Sequence, residues 1–248
     1  MTVVVVGSVR GGPGVTSAAL LLGGWLDDSV VAEADLDGGV IAVRYRLGRE
    51  PGLTTLAAGR TVDPEDWRNH TQDAGGIPVL VGPDAPDRMA MLWSRAGRRL
   101  AAALATSSAT VVVDGGRLRS GDATSALRAA GVLTLLLVRP VPEDLVGLAH
   151  RLPALHGRAA LVLVGPGAYS PTDVSADFGL DVLGTLPDDR RATALLTAGG
   201  VSSRGLARTA LARGMRTVAD AVASRIEKRD APGSGSEAAR QSAAEEIS

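Results

Sequence analysis

Cysteine is absent from this 248-residue sequence, lysine occurs once, at Lys228, and phenylalanine once, at Phe178. Without cysteine there is no disulfide, no thiol nucleophile and no cysteine-ligated metal. Aromatic residues make up only 2% of the chain, so its core must be built from valine, leucine and alanine. No run of about 18 apolar residues occurs, which argues against a membrane-spanning helix. No basic stretch precedes the first apolar run, so a signal peptide is not expected and the cytoplasm is the expected location. A formal net charge of -1 gives no overall pull toward nucleic acid, and 45% hydrophobic residues suit one substantial domain.

Short apolar runs are abundant. Strands are expected at 2–7, 29–33, 77–81, 110–114, 132–138, 160–164 and 181–186, rich in valine and leucine without polar alternation. That pattern belongs to strands covered on both faces of a parallel sheet. Helices are expected between them at 15–27, 63–73, 84–106, 122–130, 143–156, 170–177 and 189–197, several opening on Asp, Ser or a Pro-acid pair. The alternation predicts an α/β fold, three-layer and doubly wound, around a mostly parallel sheet. Residues 1–229 are expected to form a single domain and residues 230–248, small and polar, a disordered tail.

The last helical segment, 203–229, spaces Leu206, Leu211, Met215, Val218, Val222 and Ile226 along one face and Arg204, Arg208, Arg213, Arg216, Arg225 and Arg229 along the other. Such a helix either packs its apolar stripe on the domain and leaves the arginines in water, or presents them to a membrane, DNA or an acidic partner.

The stretch with the most chemistry is "VGSVRGGPGVTSAALLLGGWL", residues 6–26, directly after the run Val3–Val6. A strand, a glycine-rich turn and an apolar helix form the layout of a phosphate-binding loop. Glycines let main-chain N–H groups turn inward, and the helix N-terminus adds roughly half a positive charge. The ordinary pattern G-x-x-x-x-G-K-[ST] fails here, with Val9 in place of its first glycine and Val15 in place of its lysine.

"RGGPGVTS", residues 10–17, resembles instead the deviant loop K-G-G-x-G-K-[ST]-[ST] of the ParA/MinD family of P-loop ATPases. The resemblance implies a P-loop NTPase fold binding ATP (or ADP) with Mg2+. Gly11, Gly12 and Gly14 match the family's glycines, and Pro13 falls at its variable position. Arg10 stands where the family has a signature lysine that reaches the partner's nucleotide across a dimer, which makes it a candidate catalytic residue. Val15 replaces the in-loop lysine, while Thr16 and Ser17 match the hydroxyl pair, Thr16 at the metal-ligand position. "VVAEADLDGG", residues 30–39, resembles the second strand and first switch, placing Asp37 where an acid positions the attacking water or Mg2+. "ATVVVDGG", residues 109–116, resembles the strand whose closing acid, Asp114, holds Mg2+ through water. "LVLVGP" and "LGTLPDD" resemble the strands bordering the base pocket, which assigns Pro187 and Asp188 to nucleotide binding. Where family members often carry an adenine-reading Asn, this chain has Val164-Gly165-Pro166.

The order of these segments follows the ParA/MinD family, and "ADLDGGVIAVRYRLGREPGLTTLAAG", residues 34–59, is similar to the switch region of its pilus-associated CpaE/TadZ branch. That resemblance implies a dimerising, nucleotide-dependent switch with weak or absent hydrolysis, positioning a partner such as a pilus or secretion ATPase. A catalytically dead adaptor and a partitioning ATPase on nonspecific DNA are the alternatives. Loss of the loop lysine removes a charge-assisted contact of about 1.5–3 kcal/mol, so nucleotide binding is weakened rather than abolished and hydrolysis suffers more. Arg10 acting from a partner subunit and Arg139 at a strand end are the candidate replacements. His70, His150 and His156 lack metal-helix spacing, no G-x-S-x-G elbow occurs, and Trp25, Trp67 and Trp93 are expected to pack.

Overall fold

A computed structural model describes residues 2–12, 14–59, 66–119, 124–155, 159–201 and 203–230. Eight strands form one sheet: β1 (Thr2–Ser8), β2 (Ser29–Glu33), β3 (Gln72–Asp73), β4 (Pro78–Leu80), β5 (Thr110–Arg117), β6 (Leu133–Val138), β7 (Ala159–Val164) and β8 (Val182–Leu186). Their order is β3-β4-β2-β5-β1-β6-β7-β8, every neighbouring pair being parallel except β3 with β4. The helices are α1 (Val15–Trp25), α2 (Ile41–Tyr45), α3 (Leu53–Ala58), α4 (Pro86–Thr106), α5 (Ser125–Ala130), α6 (Pro142–Arg151), α7 (Pro171–Phe178), α8 (Arg190–Thr197), α9 (Arg204–Ala207) and α10 (Ala210–Asp230).

Alternate side chains of the central strands enter two separate cores. Val4, Val6, Val31 and Val112 pack under α1, α8 and α10, while Val3, Val5, Val30 and Val113 pack under α3, α4 and α6. Both faces of β1 are therefore covered, which explains why it reads as an unbroken apolar run. The three-layer, mostly parallel architecture is the expected one. From β1 the chain leaves through α1 toward β2, whereas β5 returns past β1 to β6, so connections diverge at the β1/β6 boundary. In open α/β sheets ligands bind beyond the C-terminal strand ends at such a point.

Several expected elements differ. The helix at 63–73 is a 3-10 turn at Asp66–His70 followed by β3, with 60–65 outside the described residues. The helix at 143–156 ends at Arg151 and gives way to a 3-10 turn at Leu152–Ala154; Pro153 removes an N–H donor there. The single helix at 203–229 is two, α9 and α10, because the Thr209 hydroxyl donates to the Leu206 carbonyl and accepts from the Ala212 N–H, capping the second. Leu206, Met215, Val218 and Val222 are buried, so this pair packs on the domain. Its arginines are partly tied down: Arg225 pairs with Asp181 at 2.7 Å and Arg216 lies 5.5 Å from the Trp25 ring centroid. Trp67 and Trp93 are buried as expected. The helix α10 runs to Asp230, and the rest of the expected tail, like Pro13 and His156, lies outside the described residues.

Candidate functional site

Strand β1 delivers the chain to its C-terminal edge at Ser8, and the turn that follows bends at Gly12 (φ 102°) and Gly14 (φ 80°). Both angles lie in the left-handed region, where a Cβ is strained, so the glycines are required by the backbone. Gly14 is the N-cap of α1, and its carbonyl accepts the first helical bond from Ala18 at 2.9 Å. Among the described residues no side chain caps the helix. The first amides of α1 are therefore left for a ligand or water.

Two cavities flank this turn and share Gly12, Gly14 and Ser17. One, of about 390 Å³, runs from the turn to Val164, Gly165 and Pro166 after β7 and to Pro187 and Asp188 after β8. The other, of about 340 Å³, holds Thr16, Asp35, Asp37 and Gly116. Gly11, Gly12, Gly14, Thr16, Ser17, Pro187 and Asp188 are thus brought around one continuous depression. Val15 touches its edge, but with 7% exposure its side chain belongs to the core beneath α1.

The acids are arranged differently from the sequence expectation. Asp114 is fully buried at the end of the apolar part of β5, with Gly116 N–H donating to its Oδ1 at 3.2 Å and no hydrogen-bond partner for Oδ2. Burial raises its pKa to about 7; the adjacent Thr16 side chain pulls it down, and the Glu33 and Asp35 charges push it up. Asp37 lines the cavity but is exposed and held by Arg119 at 2.9 Å. Of the two loop acids, the one whose charge reaches Asp114 is Asp35, two residues before Asp37, and its own pKa is raised first by burial. Its carboxyl accepts the Asp37 N–H at 2.9 Å and fills the space where a Cβ on Gly116 would stand.

Glu33 is the second residue that sequence reading missed. Register places it beside Asp114, and its carboxylate accepts N–H groups from Val40 (2.5 Å), Ile41 (2.7 Å) and Gly82 (3.0 Å). Burial raises its pKa and those three donors oppose the rise. Glu33 therefore clamps the loop carrying Asp35 and Asp37 to the segment after β4.

The arginines divide in their directions. Arg10 is half exposed and turns away from both cavities along α6, its Nε 3.8 Å from Asp144 and its Nη1 donating to the Glu143 carbonyl at 3.3 Å. Within one chain it takes no part in the depression. Arg139 does: it directly follows β6, lines the larger cavity, and its Nη2 donates to the Gly12 carbonyl at 3.4 Å. Asp144 serves both, since its Oδ2 also accepts the Arg139 main-chain N–H at 3.2 Å.

The fold is that of the MinD/ParA class of solved structures. The MinD septum site-determining protein of Pyrococcus horikoshii OT3, complexed with Mg-ADP, has a TM-score of 0.71 at 15% identity, covering 89% of this chain and 95% of that one. A ParA family ATPase from Chlorobium tepidum TLS scores 0.71 at 15% identity over 88% of this chain and 97% of its own. A variant of Cyanothece McdA in complex with ATP scores 0.65 at 16%, covering 92% and 96%. No protein-family model matches the sequence, and no curated protein sequence matches it. The likeness is one of fold. Among the described residues no helix is long and apolar enough to cross a membrane.

Proposed function

We propose that this chain is a nucleotide-responsive switch of the ParA/MinD kind, binding ATP or ADP with Mg2+ in the depression around Gly11–Ser17. The observation that carries the reading is the joining of uncapped α1 amides, two left-handed glycines and the ends of β7 and β8 around one cavity of about 390 Å³. That volume lies within the range of small-ligand pockets. The amides of α1 would take the phosphates, and Pro187 and Asp188 with Val164–Pro166 would border the base.

A divalent cation fits the acidic side of the loop. The buried, unpartnered Oδ2 of Asp114 next to the Thr16 hydroxyl is a hard-oxygen donor set. Among the described residues no three carboxylate or histidine side chains converge as a metal site, so Mg2+ would share its ligands with phosphate oxygens. Bound there it would neutralise charge on the phosphates. Asp35 is the better placed of the two loop acids to orient a water, with Asp37 held by Arg119. Arg139, whose guanidinium donates to the Gly12 carbonyl, is the best replacement for the missing lysine.

Hydrolysis is weak or absent in this reading, because Val15 puts no charge where transition-state charge gathers. Dimerisation, with Arg10 crossing to the partner, and placement of a pilus or secretion machine follow from the CpaE/TadZ resemblance. The likeness to MinC:MinD of Aquifex aeolicus, at 11% identity, favours a partner-bound switch. The single domain is taken to act in the cytoplasm, reaching a membrane only through its partner. A second reading, a nucleotide-free scaffold, is favoured by one observation, the burial of Val15 in the core.

Titration with a fluorescent ATP analogue, with and without Mg2+, separates the two. Saturation between roughly 10 µM and 1 mM supports the switch. No binding at millimolar nucleotide rejects it and leaves the scaffold.

A further inference from the structure

A cavity of about 650 Å³ lies apart from the nucleotide depression. It lies between α3 and α4 on the opposite face of the sheet from α1. Its floor is apolar: Ala57 and Ala58 from α3, Leu92 and Ala96 from α4. Around the rim stand Arg49, Arg88, Arg95 and Arg99, against two acids, Glu50 and Asp84. Arg49 is satisfied by Asp84 at 2.6 Å, and Arg99 donates to the Ala57 carbonyl. Arg88 and Arg95 have no partner among the described residues. Between them Met91 is 49% exposed.

Positions 88, 91, 92, 95, 96 and 99 follow helical spacing, so α4 turns one face to the groove over three turns, roughly 16 Å at 1.5 Å per residue. The trough is long, open on one side, apolar at its base and carries two unneutralised arginines whose Cα atoms are about 10 Å apart along the helix by the same rise. A small cofactor would be enclosed on most sides, and a bilayer offers nothing to fill a concavity. An amphipathic strip of protein with carboxylates bracketing an apolar side chain fits both features.

We propose that the groove between α3 and α4 docks an acidic, amphipathic segment of a partner protein. Its rim is joined to the nucleotide side of the molecule. Pro83 and Asp84 line the groove, and the Pro83 carbonyl accepts the Gly39 N–H at 2.8 Å, on the loop that carries Asp35 and Asp37. Gly38 packs so closely on the Asp84 carbonyl that a side chain could not be inserted between them. Glu33 holds Gly82 from the same side. An occupant that shifts Pro83 therefore shifts the acid-bearing loop. The docking itself stands whether or not the depression takes a nucleotide.

The test uses the full chain and fluorescein-labelled helical peptides of about 14 residues, with Glu seven positions apart flanking a Leu pair and Gln replacing Glu in the control. Saturable anisotropy in the micromolar range is expected, at least tenfold weaker for the Gln peptide and for Arg88→Glu/Arg95→Glu. Met91→Asp, an exposed change, should weaken binding independently of the arginines. The double variant should bind ATP as wild type does, so failure of docking and failure of nucleotide binding are distinguishable. No saturation by about 1 mM peptide, equal binding by wild type and both variants, or binding only to phosphatidylglycerol vesicles overturns the proposal.

Discussion

The guanidinium of Arg139 donates to the carbonyl of Gly12 across 3.4 Å, joining the end of β6 to the turn that opens α1. This places a delocalised positive charge on the loop from outside it, on the opposite flank from Thr16 and Asp114. Arg139 is exposed and anchored through its main-chain N–H bond to Asp144. Its side chain is therefore free to trade the Gly12 carbonyl for a stronger, charged acceptor.

Arg139→Ala should raise the nucleotide Kd roughly ten- to a hundredfold, the range of one charge-assisted hydrogen bond. Folding stability should move by less than about 0.5 kcal/mol, as for other exposed positions. Arg139→Lys should recover part of the affinity, since it keeps the charge but loses the bidentate fork. Isothermal titration beside urea denaturation measures both quantities. An unchanged Kd in the alanine variant would remove Arg139 from the site.

On the proposed reading, Val15→Lys supplies the loop cation that the ParA/MinD pattern has at this position. Val15 is the first residue of α1 and borders the acidic cavity, so a lysine stem can follow the valine path and bring its ammonium to the opening. Lost core contacts should cost about 1 kcal/mol of stability. Nucleotide affinity should rise about tenfold or more, with the larger gain in ATP turnover. A variant that folds and gains neither affinity nor turnover supports the scaffold reading.

How much of this was legible beforehand depended on what each residue packs against. The central strands were readable because burial on both faces leaves no polar positions; 29–33 matches β2 to the residue. Strand β3, Gln72–Asp73, was not, being two polar residues at an antiparallel edge. Helix α3 was hidden because it is short and is anchored at its start by a distant bond, Leu53 N–H to the Val81 carbonyl. Asp37 drew attention as the acid before Gly38-Gly39, yet Asp35 is the one set against Gly116 and coupled to Asp114. Finding it requires the β2/β5 register, which pairs Glu33 with Asp114 and so fixes what lies two residues beyond. The direction of an arginine side chain at a strand end has no signature in sequence, which is why Arg10 and Arg139 could be ranked only by geometry.

Glu33 accepts three main-chain N–H groups in a site closed to water, so its removal strands all three. An unsatisfied buried donor costs about 1–3 kcal/mol, and Glu33→Ala should destabilise the fold by roughly 3 kcal/mol or more. Glu33→Gln should cost less. Its one carbonyl oxygen can still take Val40 and Ile41, which share Oε1 in the wild type, and only the Gly82 N–H then meets a donor. Urea midpoints for the three proteins should fall in the order wild type, Gln, Ala. Equal loss in Gln and Ala would show that the charge, not the acceptor geometry, is what the loop needs.

Asp114 gives the fold a pH dependence of defined sign. Its pKa is about 7 in the folded chain against an ordinary value of 3.8, with burial as the leading cause. The folded state thus holds this proton more tightly than the unfolded chain does. The stabilisation it brings is fully present below about pH 4, declines as pH rises through the interval, and is gone above about pH 7. Across roughly three units, at 1.36 kcal/mol each, the swing reaches about 4 kcal/mol at most. Asp114→Asn stays neutral at every pH and keeps an oxygen to accept the Gly116 N–H. Without ligand its advantage over wild type should be smallest at pH 4.5 and grow until it is clearly the more stable protein by pH 8. Glu33 and Asp35 titrate in both proteins, and their charges act on a carboxylate at position 114 only in the wild type, so the measured gap includes that repulsion. Denaturation midpoints at half-unit steps from pH 4.5 to 8.5 give the difference curve. A gap that stays flat across this range would mean that Asp114 ionises in the fold as it does in the open chain, and that its buried oxygen is hydrated after all.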